Sequence, residues 1–152
     1  MSGLAIARVT AGDVEELMAL MRGYCEFYEA TPSEQALRTL CATLLEHPDS
    51  AGIQLLARNS DGTAIGFATI YWTYSTLSAG PIGLMNDLYV APAARGNGIG
   101  RALIEACAGE CRQQGVVELE WYTAPGNARA QATYDRTGAI REEWVSYSLP
   151  IS

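Results

Sequence analysis

The run from Asn86 to Glu105, N-D-L-Y-V-A-P-A-A-R-G-N-G-I-G-R-A-L-I-E, gathers the residue types that hold an anion. Leu88, Tyr89 and Val90 are apolar and β-prone and read as the end of a strand. Ala91-Pro92 stops it, because proline lacks an N–H and fixes φ. Gly96, Gly98 and Gly100 then lead into Arg101-Ala-Leu-Ile-Glu-Ala, a run of good helix formers. The first N–H groups of a helix have no internal partner, and the helix dipole adds positive potential at the same end. The glycines, with Asn97 and Ile99 between them, let the backbone approach a phosphate closely and take positive φ. Arg95 and Arg101 bracket the turn and can add charge-assisted hydrogen bonds. The chemistry expected here is the binding of a phosphate or pyrophosphate.

Spacing narrows the ligand. A P-loop needs G-x-x-x-x-G-K-[ST], and no such run occurs. A dinucleotide turn needs G-x-G-x-x-G, which would put glycine at 101 or 103; those positions hold Arg101 and Leu103. Arg-x-x-Gly-x-Gly, at Arg95, Gly98 and Gly100, is the pattern present.

The elements that must hold this turn follow from periodicity. Leu4 to Val9 reads as a first strand. Asp13, with Glu16 three residues on, is expected to cap a helix whose apolar stripe is Val14, Leu17, Met18, Met21, Cys25 and Tyr28. Thr31-Pro-Ser-Glu34 starts a second helix, with Pro32 expected at its first position, running to His47-Pro48. Strands are expected over Ile53–Arg58, Thr63–Thr76 and Ile82–Val90, joined by short turns as an antiparallel meander. A helix follows from about Gly98 to Gln114, stopped by Gly115. Val117–Thr123 alternates as a strand, Asn127 is a candidate N-cap for a short helix through Arg136, and a last strand is expected over Glu143–Leu149. A helix crossing between two strands makes them parallel neighbours. The expected fold is therefore α/β: a mixed, mostly antiparallel central sheet flanked by helices on both faces, a three-layer sandwich in one domain over 1–152.

Composition excludes some partners. The chain has 152 residues and a net charge of −7, which argues against a nucleic-acid backbone as ligand and mildly favours cationic small molecules. No apolar run reaches the roughly 18 residues of a membrane helix, and the N-terminus lacks a charged-then-apolar leader, so no membrane association and a cytoplasmic location are expected. The four cysteines contain no C-x-x-C and none neighbours the single His47, so no metal is expected.

The cofactor pattern resembles the acetyl-CoA motif of the GCN5-related N-acetyltransferase (GNAT) family. Within it, Gly66-Phe-Ala, Tyr71 and Thr73-Tyr74, then Asp87-x-x-Val90 with Arg95-Gly96-x-Gly98-Ile99-Gly100, and Asn127, Tyr134 and Gly138-Ala139, resemble the diamine (spermidine/spermine-type) N-acetyltransferases. The resemblance implies that the backbone of Leu88, Tyr89 and Val90 holds the pantetheine of acetyl-CoA. It gives the pyrophosphate to Gly96 through Arg101, with Arg95 in the motif, and the CoA arm to Asn127, Ala128 and Ala130. It makes Tyr134 the general acid near the sulfur, lines the amine pocket with Tyr28, Glu29, Asn86 and Asp87, and implies a homodimer. One position departs: those enzymes carry a glutamate just before the aspartate, and here it is Asn86.

The implied reaction is attack of a neutral amine on the acetyl thioester. Deprotonating a lysine-like amine at pH 7 crosses about 3.4 pKa units, or roughly 4.6 kcal/mol. Asp87, Glu26 and Glu29 are the candidate acceptors of that proton. Periodicity by itself makes Tyr134 a packed helix aromatic; only the resemblance gives it a catalytic role. A protein or peptide acceptor, and a non-catalytic CoA-binding module, remain as alternatives.

Overall fold

The structure, a computed structural model, describes residues 3–152. It divides into two compact units, residues 3–122 and 123–152, which are described separately.

The first unit is a five-stranded sheet in the order β1-β2-β3-β4-β5, with β1 Ala5–Arg8, β2 Gly52–Arg58, β3 Ala64–Ser75, β4 Gly80–Val90 and β5 Leu119–Glu120. The pairs β1–β2, β2–β3 and β3–β4 are antiparallel, and β4–β5 is parallel. The expected meander and parallel crossover both form. β2 is buried along nearly its whole length because helices cover both of its faces.

Helices α1 (Val14–Phe27) and α2 (Glu34–Glu46) supply one cover. Leu17, Met18, Met21, Leu37 and Cys41 join the register partners Leu56 and Phe67 in one apolar cluster. Helix α3 (Ile99–Gln114) supplies the other cover, burying Ile99, Leu103, Ile104, Cys107 and Cys111. Two glycines bring α3 close. A Cβ at Gly66 would lie 2.9 Å from the Tyr89 carbonyl oxygen and 3.3 Å from Leu103 Cδ1; one at Gly83 would lie 3.0 Å from Cys111 Sγ. Small residues here set how closely α3 packs on β3 and β4.

Several local expectations are corrected. Asp13 does not cap α1 with its side chain; its carboxylate accepts from the Thr10 N–H at 2.8 Å and from Arg58 at 2.7 Å. Glu16 likewise turns to Arg58, at 2.9 Å. Arg58 beside the helix start takes the Glu16 carboxylate and shares that of Asp13 with the Thr10 N–H. Ser33, not Thr31, caps α2, accepting from Ala36 N–H at 3.0 Å, so Pro32 precedes the helix. β4 begins at Gly80 and includes Pro81, which pairs with Tyr74 near the hairpin tip. Tyr74 is exposed. β5 is two residues long, because its ladder to β4 holds only at Gly83↔Leu119 and Leu84↔Glu120.

The second unit carries helix α4, Ala128–Asp135. The Asn127 side chain accepts from Ala130 N–H at 3.2 Å, so the expected cap forms. The strand expected over Glu143–Leu149 does not form within this unit. A strand needs a neighbour for its N–H and C=O groups, and the unit contains no other strand.

The four cysteines are free thiols. Burial pushes the Cys107 thiol up to about 12 and the Cys111 thiol up to about 11, against an ordinary 9.0. A raised folded-state value means that the folded protein holds its proton more tightly than the unfolded chain. This stability is therefore complete below pH 9.0 and declines as pH rises towards the folded values, by up to about 1.4 kcal/mol per pH unit for each thiol. We expect the melting temperature to be flat from about pH 7 to 8 and to fall steeply above about pH 9. A flat profile through that upper range contradicts the burial argument.

Candidate active site

β4 changes partners along its length. Its ladder with β5 stops at Leu84↔Glu120, while its ladder with β3 continues through Leu88↔Ala68, Tyr89↔Phe67 and Val90↔Gly66. Alternate residues of a strand turn their N–H and C=O away from a given neighbour. Beyond Leu84, β4 therefore offers backbone groups on a side where no ladder with β5 takes them.

The turn after β4 is organised by its own side chains. Arg95 Nε donates to the Val90 carbonyl at 2.8 Å, and its guanidinium lies 5.5 Å from the centre of the Tyr89 ring. Asn97 Nδ2 donates back to the Ala94 carbonyl at 3.1 Å. Gly96 (φ 84°) and Gly98 (φ 77°) take the left-handed conformation. The first helical bond of α3 runs from Ala102 N–H to the Gly98 carbonyl at 3.1 Å. That leaves the N–H groups of Ile99, Gly100 and Arg101 without an intrahelical acceptor. No side chain caps this end, and its first turn holds no acidic residue. A Cβ at Gly98 would meet nothing within 4 Å, and one at Gly100 only Val90 Cγ2 at 4.0 Å. The result is an uncapped row of amides on a turn whose glycines leave no side chain over it, the arrangement that binds phosphate oxygens.

Both arginines expected to reach for a phosphate already have protein partners. Arg95 braces the Val90 carbonyl, and Arg101 Nε pairs with Glu105 at 3.2 Å. The cradle itself is thus backbone, with Arg95 shaping it from behind.

Four residues before Val90 lies a feature that sequence reading missed. Thr69 pairs with Asp87, but Ile70 pairs with Met85, so Asn86 is the extra residue of a β-bulge. The bulge sets Asp87 in the interior, only 6% exposed. Asn86 Nδ2 donates to Asp87 Oδ1 at 2.9 Å, and the Tyr24 hydroxyl donates to the Asn86 carbonyl at 3.2 Å. Burial, then the charge of Asp87, pushes the Tyr71 hydroxyl up to about 12 and raises Tyr24 well above the ordinary phenol range. The same two causes raise the Cys25 thiol. Asp87 is therefore a carboxylate among hydroxyl and amide groups, with no cation paired to it among the described residues of this unit. Tyr24 was legible in principle, since it continues the Leu17, Met21 face of α1. Tyr71 was singled out only as part of the family-like run that became β3, with no role assigned to it.

Tyr28 and Glu29 follow α1. The Tyr28 ring lies 4.9 Å from that of Tyr24 and 5.0 Å from that of Phe27. Glu29 takes a left-handed conformation, φ 55°, and is exposed. Tyr28, Asn86 and Asp87 are thus linked through Tyr24, while Glu29 stands at the solvent side.

In the second unit Ala128 and Ala130 form the first turn of α4 behind the Asn127 cap, and Tyr134 lies in its last turn. The Tyr134 carbonyl accepts from Thr137 Oγ1 at 2.6 Å, which closes the helix. Among the described residues, no three His, Cys, Asp or Glu side chains gather to hold a metal, and no helix is long and apolar enough to cross a membrane.

Comparison with known proteins agrees with this geometry. The profile of the acetyltransferase (GNAT) family matches residues 16–139. The uncharacterized N-acetyltransferase YhfO of Bacillus subtilis (strain 168) is 30% identical over 147 residues, covering 96% of this chain and 97% of that protein. The thialysine N-epsilon-acetyltransferase of Caenorhabditis elegans is 28% identical over 153 residues, covering 98% of this chain and 93% of that one. A solved structure of AAC(6')-Iy in complex with the bisubstrate analog CoA-S-monomethyl-acetylneamine superposes with a TM-score of 0.85 over 99% of this chain and 100% of that one. At 21% identity that last likeness is one of fold.

Proposed function

The chain belongs to the acetyltransferase (GNAT) family and is an N-acetyltransferase that uses acetyl-CoA, and we propose that its acceptor is a primary amine of a small molecule, attacked directly within one catalytic domain spanning 1–152. The family match runs across both units, which supports reading them as one domain. The observation that carries the proposal is the pairing, on one strand, of a buried, cation-free carboxylate at Asp87 with an uncapped amide cradle that starts after Val90.

The residues fit acetyl-CoA. Leu88, Tyr89 and Val90 would hold the pantetheine through their backbone, and Gly96, Asn97, Gly98, Ile99, Gly100 and Arg101 the pyrophosphate, on a turn shaped by Arg95. Asn127, Ala128 and Ala130 would contact the CoA arm. Bound acetyl-CoA supplies a thioester whose carbonyl carbon is the electrophile.

Asp87, with Asn86, Tyr28 and Glu29, attracts and orients the ammonium. The nitrogen gives up two protons, one before attack and one as its bond to carbon forms. Asp87 takes each in turn, directly or through water, and passes it to solvent, one being released and the other making good the proton that Tyr134 spends. Tyr134 donates a proton to the sulfur as the carbon–sulfur bond breaks. Overall, an ammonium and the thioester become an amide, a free thiol and one released proton. Asp87 works under tension, since a carboxylate that recruits a cation also helps it keep its proton.

The likeness to the thialysine enzyme supports an acceptor with a primary amine on a flexible chain. A homodimer and a cytoplasmic location complete the proposal. The test is thiol release from acetyl-CoA across a panel of amines between about pH 7 and 9, where the neutral amine fraction rises. Turnover on at least one free amine is expected. Release on peptides alone would move the acceptor to a protein, and none on either would leave a CoA-binding module.

A further inference from the structure

The surroundings of Asp87 say more about the acceptor than that it is an amine. Among the described residues, the Asn86 amide donates to this carboxylate, and the Tyr24 hydroxyl, the Tyr71 hydroxyl and the Cys25 thiol lie near enough to feel its charge; all are uncharged when protonated. Outward from Tyr24 the next side chains are aromatic: Tyr28 at 4.9 Å, then Phe27 at 5.0 Å from Tyr28. Phe27 and Tyr28 are 58% and 52% exposed, so two ring faces meet solvent beside a buried anion.

We propose that the acceptor is a monocation carried on an aromatic or apolar body, rather than a polycation. This rests on the acetyltransferase reading above and specifies its substrate. One buried carboxylate satisfies one ammonium. A second ammonium a few carbons along the chain would lie among rings, not opposite another buried carboxylate. Glu26 and Glu29 are exposed, where water and salt weaken each several-fold as a partner compared with a buried charge. An apolar body, by contrast, finds ring faces to stack on, and the leading ammonium gains a cation–π contact with Tyr24 or Tyr71 on its way to Asp87. A single carboxylate also holds the proton on the nitrogen less firmly than a pair would, which favours the neutral nucleophile.

Calorimetric titration of the CoA-saturated protein with phenethylamine, ethylamine and spermidine, at about physiological salt, tests the proposal. Phenethylamine is expected to bind about tenfold more tightly than ethylamine, and more tightly than spermidine. In the Phe27→Ala, Tyr28→Ala double variant, whose changed side chains are solvent-exposed, its advantage over ethylamine should shrink to about threefold or less. Tighter binding of spermidine, or an advantage that the double variant leaves intact, would overturn the proposal. Thiol release measured on the same samples separates the two claims. Phenethylamine that binds by this pattern but is not acetylated, while another amine is, overturns the inference and keeps the transferase reading, as does a strong preference for spermidine in turnover. Thiol release with none of the amines removes the transferase reading itself.

Discussion

Asp87→Asn is expected to lower kcat/KM for any acceptor amine by about a hundredfold or more, within the range that loss of a positioned acid or base produces. The side chain is 6% exposed; it accepts from the Asn86 amide, and the neutral Tyr24 hydroxyl beside it is held on the Asn86 carbonyl. Asparagine keeps the shape but can neither attract an ammonium nor accept its proton. The loss should appear in both kcat and the acceptor KM, because ground-state binding and proton removal use the same oxygen atoms. Affinity for CoA should stay within about threefold, since the cradle starts beyond Val90. A variant that keeps near-native turnover removes Asp87 from the chemistry and moves the base to Glu26, Glu29 or water.

Tyr134→Phe carries the second large effect. Removing only the hydroxyl takes away the proton donor for the departing sulfur, and kcat should fall by about a hundredfold. The KM for acetyl-CoA should change by no more than about threefold, because the helix and its ring remain. A rise in KM at constant kcat would make Tyr134 a binding residue. An unchanged rate would return it to packing. Together the two variants separate the start of the reaction, at nitrogen, from its end, at sulfur.

The parts of this molecule that were legible in the sequence are those governed by local rules. Gly98 and Gly115 announced the two ends of α3, and both take the left-handed conformation expected of them. Asn127 announced α4 and caps it. Three successive β-prone runs joined by short turns, now β2 through β4, pointed to the meander that forms. What was hidden depends on neighbours distant in sequence. Arg58 draws Asp13 and Glu16 from the capping roles their spacing suggested. The bulge at Asn86 is a mismatch between two strands and exists only once they pair. Arg95 looked like a phosphate ligand, and its Nε instead holds the Val90 carbonyl. The Val117–Thr123 alternation was real, yet the parallel ladder to β4 lasts for two residues, because β4 turns its next stretch to other use.

The account stands on the claim that backbone amides beyond Val90 hold the diphosphate of coenzyme A. Gly98 (φ 77°) faces open space, and a β-branched residue there would strain the turn and push those amides out of line. The decisive measurement is the affinity of native protein and of Gly98→Val for CoA and for pantetheine, which lacks the diphosphate. The native protein should bind CoA at least about a hundredfold more tightly, and the variant should lose most of that margin while its affinity for pantetheine holds. Equal affinity of the native protein for both ligands, or a margin that survives in Gly98→Val, would place the diphosphate elsewhere.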